Sequence, residues 1–173
     1  MENTKTYDNF PLKMTLLPNL VSIMIYLAGV LIMYALSWIA ATGFLIYIIG
    51  LEIRLLSRHC VNCYYYGKVC GFGRGLISSL FFRAGDPDNF CEKSFGWKDL
   101  VPDMLITLIP LITGLILIFF RFSILLLICI LVIVGLTSAG NSYVRGSITC
   151  KFCKQRITGC PAEKLFSKKE GTK

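Results

Sequence analysis

Two long apolar runs constrain this chain more than any other feature. Met14 to Leu51 is 38 residues without a charged side chain, and Met104 to Val144 is 41 residues whose only charge is Arg121. A bilayer core about 30 Å thick is crossed by roughly 20 helical residues, so each run is about twice too long for one crossing. Each reads as a helical hairpin. The first bends near Leu36-Ser37-Trp38 and the second near Phe120-Arg121-Phe122, where an arginine beside aromatics suits the headgroup layer. Four spans follow, at about 15–36, 38–57, 101–120 and 122–143.

Composition agrees. The chain is 55% hydrophobic and only 16% charged, against about 25% charge in soluble domains. That hydrophobicity excludes a disordered basic tail. A cleaved signal sequence ending near Ala35-Leu36-Ser37 is the weaker reading of the first run. Its apolar stretch exceeds the about 7–15 residues of a signal core, and no basic cluster precedes it.

The halves of the chain repeat one another. Leu16-Leu17-Pro18-Asn19-Leu20 matches Leu100-Val101-Pro102-Asp103-Met104, and Gly29 and Gly114 fall at nearly the same offset. After each hairpin comes the same spacing, Cys60-x2-Cys63-x6-Cys70 and then Cys150-x2-Cys153-x6-Cys160. Two spans per copy insert both copies in the same orientation, so their symmetry axis lies along the membrane normal. The expected fold class is an all-α polytopic membrane protein: two tandem helical hairpins with pseudo-two-fold symmetry, each followed by a cytoplasmic CxxCx6C loop. Repeat 1 takes residues 1–75, an interfacial linker 76–97, and repeat 2 residues 98–173. Within the linker, Leu76 to Phe82 is too short to span and reads as interfacial. Gly85-Asp86-Pro87-Asp88 reads as a turn, and Trp97-Lys98 as an anchor.

Charge sets the orientation. Seventeen of the 18 Lys and Arg residues fall on the side of both termini and the central loop, leaving only Arg121 opposite. By the positive-inside rule that side is cytoplasmic, in the plasma or inner membrane. The same basic loops fit anionic headgroups better than nucleic acid. They also offer a docking face for a protein partner or a second copy of the chain.

In a reducing compartment, six cysteines at metal-ligand spacing point to metal or redox chemistry rather than disulfides. A CxxC turn holds two thiolates on one side of a tetrahedral ion. Cys60, Cys63, Cys70, Cys150, Cys153 and Cys160 are the candidate ligands, with zinc the expected ion. An iron–sulfur cluster is the alternative: Cys160-Pro161 resembles the Cys-Pro ending of bacterial ferredoxin runs, although the spacing upstream differs. Two arrangements fit. Either each half holds its own ion, completed by His59 in the first and Cys91 in the second, or the halves share a site on the pseudo-two-fold axis. Cys129, inside the fourth span, reads as a small core hydrophobe.

Other residues carry weaker signals. Gly71-Phe72-Gly73-Arg74-Gly75 reads as a tight turn rather than a phosphate nest, and Tyr64-Tyr65-Tyr66 as an interfacial belt. Asn19 and Asp103 sit at matching helix starts and read first as N-caps. With Glu52 they also outline a polar cleft suited to a small transporter or lipid-modifying enzyme. Glu52 and Arg54 are candidates to pair with each other, and Asn141 to bond between helices. His59 is the only histidine and no serine elbow accompanies it, so no hydrolase signature is present.

Overall fold

The computed structural model describes residues 6–87, 90 and 97–160. Cys91, Asp88 and the basic tail after Cys160 lie outside the described residues. Four of the helical segments are long and apolar enough to cross a membrane: Leu12–Leu36, Trp38–Asn62, Leu100–Phe120 and Ile124–Thr149. Among the described residues there is no strand. One isolated parallel bridge joins Tyr7 to Cys153.

Helix α1 (Leu12–Leu36) ends at Ser37, whose backbone is extended (φ −166°) and whose hydroxyl accepts the N–H of Ala40 at 3.1 Å. That cap starts α2 (Trp38–Arg58) and makes the first bend where the sequence places it. Helix α3 (Arg74–Phe81) follows the first cysteine motif, and α4 (Trp97–Phe120) is the third crossing. The second break falls at residues 121–123, before α5 (Ile124–Gly135).

The fourth crossing is longer than its apolar run suggests. It continues from α5 through two wide π-helical turns, Leu136–Gly140 and Val144–Thr149, that flank Asn141–Tyr143. Its hydroxyls explain the loosening. Thr137 donates to the Ile133 carbonyl, Ser138 to Val134 at 2.6 Å and Thr149 to Val144 at 2.7 Å, all in competition with the helix ladder. Asn141 does not bond between helices; its side-chain oxygen accepts the Arg145 Nε–H one turn on, at 3.3 Å.

Helix α1 is the hub of the bundle, packing against α2, α4 and the fourth crossing. Without a hydrophobic drive between helices in lipid, small residues decide where they meet. A Cβ on Gly29 would lie 2.8 Å from Phe44 of α2 and 3.5 Å from Pro110 of α4. One on Gly114 of α4 would lie 3.0 Å from Ile130 of α5 and 3.4 Å from Ile32 of α1. Gly29 thus sits where α1, α2 and α4 meet, and Gly114 where α4, α5 and α1 meet. One buried cluster joins Ala28 and Ile32 to Leu126, Cys129, Ile130 and Ile133. A second joins Met33 to Ala41, Phe44 and Ile48. Cys129 packs as a core hydrophobe, as its sequence context predicts.

The outer faces are apolar. Phe119 is 86% exposed, and large aliphatic side chains face outward along every crossing. A surface this greasy suits lipid, not water.

Candidate functional site

Both cysteine motifs lie at the same end of the bundle, and the first grows directly out of α2. A short 3-10 turn, Cys60–Asn62, carries the chain to Cys63, whose N–H donates to the Cys60 carbonyl at 3.3 Å. The Tyr66 N–H then donates to the Cys63 carbonyl at 2.9 Å. The second motif repeats the pattern, with Cys153 N–H on the Cys150 carbonyl at 3.3 Å and Arg156 N–H on the Cys153 carbonyl at 3.2 Å. Equal spacing has produced equal turns.

These turns face one another. The Tyr64 N–H donates to Gln155 Oε1 at 2.7 Å, and the Lys154 N–H donates to the Tyr65 hydroxyl at 2.9 Å. Tyr65 and Gln155 are both buried, at 1% and 4% exposure. Tyr65 is therefore not part of an interfacial belt. Its hydroxyl also donates to the Tyr7 carbonyl at 2.6 Å, so a phenol sits in the interior bridging three segments.

Cys60, Cys70 and Cys160 all lie within electrostatic reach of Cys63, as does Cys153. The Cys63 thiol is directed at Gln155 Oε1 from 3.7 Å. Burial pushes Cys63 up to about 11 and Cys153 up to about 12. In each case a backbone N–H two residues on, from Tyr65 and from Gln155, works in the opposite direction by favouring the thiolate. Cys70 receives a comparable bond from the Gly75 N–H at 3.4 Å. None of the described cysteines is joined in a disulfide. Among the described residues no three His, Cys, Asp or Glu side chains stand close enough together to hold a metal ion.

A segment that sequence reasoning passed over straps the two motifs together. The Tyr7 N–H donates to the Phe152 carbonyl at 3.2 Å, and the Phe10 N–H to the Val69 carbonyl at 2.9 Å. Asn9 Oδ1 accepts the Val69 N–H at 3.1 Å. Asp8 accepts from the Tyr64 hydroxyl at 2.7 Å and the Lys154 ammonium at 2.6 Å. The Lys154 bond, with Tyr64 adding to it, holds the Asp8 carboxyl below its usual value. The signal in the sequence was the pair of aromatics, Tyr7 and Phe10, in a polar stretch; both rings stack tilted on neighbours, Phe10 on Tyr65 at 5.7 Å.

The glycine-rich stretch is the turn that the sequence predicts. Gly73 has φ +70° and its N–H donates to the Cys70 carbonyl at 2.9 Å. Gly75 has no room for a side chain, because a Cβ would overlap the Tyr65 carbonyl oxygen. Helix α3 is anchored on its buried side by Ser78, which donates to the Leu56 carbonyl at 3.1 Å, while Leu80 and Phe81 stay exposed.

Between this platform and the crossings lies a charged layer. Glu52 does not pair with Arg54, which lies on another face two residues on. Its partner is Arg74, whose Nε donates to Oε2 at 2.9 Å and whose second nitrogen reaches Oε1; the Tyr26 hydroxyl also donates to Oε1, at 2.7 Å. Burial works against the Arg74 charge, but the Glu52 carboxylate outweighs it and holds the guanidinium pKa above its usual value. Asn19 and Asp103 are not N-caps, because α1 and α4 begin several residues earlier. Asn19 donates instead to the carbonyls of Thr15 at 2.8 Å and Phe72 at 3.2 Å. Asp103 lies within electrostatic reach of Arg145, Arg54, His59 and Arg74. The guanidinium groups of Arg74 and Arg145 both stack on Phe72, at 5.5 and 5.7 Å.

Comparison with protein-family models, with characterised proteins and with solved structures finds no match.

Proposed function

We propose that the chain is a multi-pass membrane protein whose duplicated cysteine turns bind zinc at the cytoplasmic face, giving a structural centre that presents a basic docking surface. In this reading two tandem hairpins are related by a pseudo-two-fold axis along the membrane normal. Cys60, Cys63, Cys70, Cys150, Cys153 and Cys160 supply the thiolates. The observation that supports it is the exchange of hydrogen bonds between the two CxxC turns, 64 to 155 and 154 to 65, which holds the two motifs against each other. The backbone N–H groups aimed at Cys63, Cys70 and Cys153 suit ligated thiolates, which need such donors.

Zinc would supply folding energy there. Loops this short cannot build a core of their own, so the binding energy of the ion becomes stability of the cysteine platform. Orientation rests on the charge count, since the bend that carries Arg121 lies at the end away from the cysteines. The exposed lysines on the platform, and Arg145 below it, would meet anionic headgroups, a protein partner or a second copy of the chain.

Anaerobic purification with elemental analysis tests the reading. A colourless preparation holding stoichiometric zinc supports it. A brown preparation that bleaches with dithionite would replace zinc by an iron–sulfur cluster on the same thiolates. Absence of both metals would end the metal reading. The charged layer would then be the site to pursue, with Asp103→Asn as the first variant of a transporter or lipid-modifying enzyme.

A further inference from the structure

We propose that helix α3 lays one face in the lipid leaflet at the cysteine end of the bundle and moors the first cysteine loop to it. The inference rests on the membrane reading above and involves no metal. The helix has two unlike sides. Gly75 and Ser78 are buried, whereas Leu76, Ile77, Leu80 and Phe81 are exposed, the last two at 74% each. Their spacing, i, i+1, i+4 and i+5, gathers the four apolar side chains on one face.

Depth decides what covers that face. Arg74 of α3 donates to Glu52 of α2 at 2.9 Å, the Ser78 hydroxyl to the Leu56 carbonyl at 3.1 Å, and the Gly85 N–H to the Val61 carbonyl at 3.0 Å. The three pairs advance together, so α3 follows the last turns of α2 in the same sense. At 1.5 Å per residue, Glu52 and Leu56 lie about 21 and 27 Å along α2 from Trp38. Trp38 is exposed at the far end of the crossing, where an aromatic marks the opposite boundary. A hydrocarbon core about 30 Å thick therefore ends at the level of α3. Lipid fits this face better than a soluble partner, because it continues the exposed stripe of Ile49 and Ile53 on α2. The exposed Arg83, two residues beyond Phe81, then meets the headgroup phosphates.

The inner side of the same helix holds the first motif. The Gly75 carbonyl accepts the Gly67 N–H at 3.1 Å, and the Gly75 N–H reaches the Cys70 thiol at 3.4 Å. The Tyr66 hydroxyl donates to the Phe82 carbonyl at 2.7 Å, just past the end of α3. The loop from Cys63 to Cys70 is thus closed against a helix whose other side lies in lipid. Burial of four apolar side chains in the leaflet keeps α3, and the loop with it, at the membrane boundary.

Tryptophan quenching in vesicles tests the placement. The full chain is reconstituted into phosphatidylcholine brominated on the acyl chain either near the headgroup or near the bilayer centre. Trp97→Phe leaves Trp38 as the sole indole, and Trp38→Phe with Trp97→Phe and Phe81→Trp leaves one at position 81. Fluorescence from position 81 should be quenched more by bromine near the headgroup than by bromine near the centre, and little by aqueous iodide. Quenching by iodide alone would show a face in water, and quenching by neither a face covered by protein; both would overturn the proposal. A Trp38 that no lipid bromine quenches would instead overturn the membrane reading on which it rests. Hydrogen exchange tests the mooring. Leu80→Ser with Phe81→Ser should speed exchange severalfold at the Tyr66, Gly67 and Lys68 amides and leave Ala41, at the far bend, as it was. Unchanged exchange, or a rise shared equally by Ala41, would overturn the mooring.

Discussion

Tyr65 and Gln155 stand two residues after the second cysteine of their respective motifs, and each accepts a backbone N–H from the other motif, at 2.9 and 2.7 Å. Two side chains of unlike chemistry thus perform the same task at equivalent positions. Removing the Tyr65 hydroxyl strands the part-buried Lys154 N–H and Tyr7 carbonyl together, and a group left buried without a partner costs about 1–3 kcal/mol. Tyr65→Phe should accordingly lower the thermal unfolding midpoint in detergent. Tyr64→Phe, which loses exposed interactions with Asp8 and Lys154, should change it much less. Equal midpoints for the two variants would count against the bridge.

Glycine substitutions should divide sharply by site. An added Cβ at Gly75 meets the backbone carbonyls of Tyr65 and Lys68, which cannot move without dismantling the first cysteine loop, so Gly75→Ala should fail to accumulate folded protein. Gly43, on α2, has nothing within 4 Å. There Gly43→Ala should stabilise the helix by up to about 1 kcal/mol through propensity alone. Expression and melting of the two variants side by side decide the matter.

The Glu52–Arg74 pair ties α2 to α3, with Tyr26 of α1 on the same carboxylate. Side-chain exposures of 17% and 28% make it partly shielded. Breaking a fully buried pair costs about 3–5 kcal/mol, so Glu52→Gln should cost somewhat less, on the order of 1–3 kcal/mol, by leaving the guanidinium uncompensated. The double change Glu52→Leu with Arg74→Leu should recover part of that loss. A double variant less stable than Glu52→Gln would show that the pair contributes net attraction beyond compensation.

What could be read from the sequence followed periodicity and spacing. The apolar runs gave four helices long enough to cross a membrane, and the residues at Ser37 and Arg121 gave the breaks, because lipid leaves few alternatives to helix. Long-range polar contacts were not legible. Glu52 looked closest to Arg54 along the chain, yet its partner is the first residue of α3, 22 residues on. Asn19 and Asp103 resembled caps because the helices' true starts lie in more polar sequence before them. Tyr65 looked like a membrane-interface aromatic, and the second motif together with the Tyr7–Phe10 segment covers it. The Tyr7–Phe10 strap carries no motif, so its docking onto both cysteine turns depends on geometry that the sequence does not encode locally.

Thiol ionisation gives a pH signature. An ordinary cysteine here would titrate near 9.0, and burial lifts Cys63 to about 11 and Cys153 to about 12. Above pH 9 the folded chain keeps protons that the unfolded chain has released, so stability falls with rising pH. In chelator-treated protein this contribution should be complete below pH 9 and lost as pH climbs through 11 to 12. Melting curves from pH 7.5 to 11 should therefore stay flat and then decline. A midpoint that rises across the alkaline range would contradict the burial of these thiols.

Zinc K-edge X-ray absorption on the full chain, purified anaerobically from membranes, reaches the central claim most directly. The account predicts a zinc first shell dominated by sulfur scatterers at about 2.3 Å. A shell without sulfur, or a protein that carries no zinc, would contradict it.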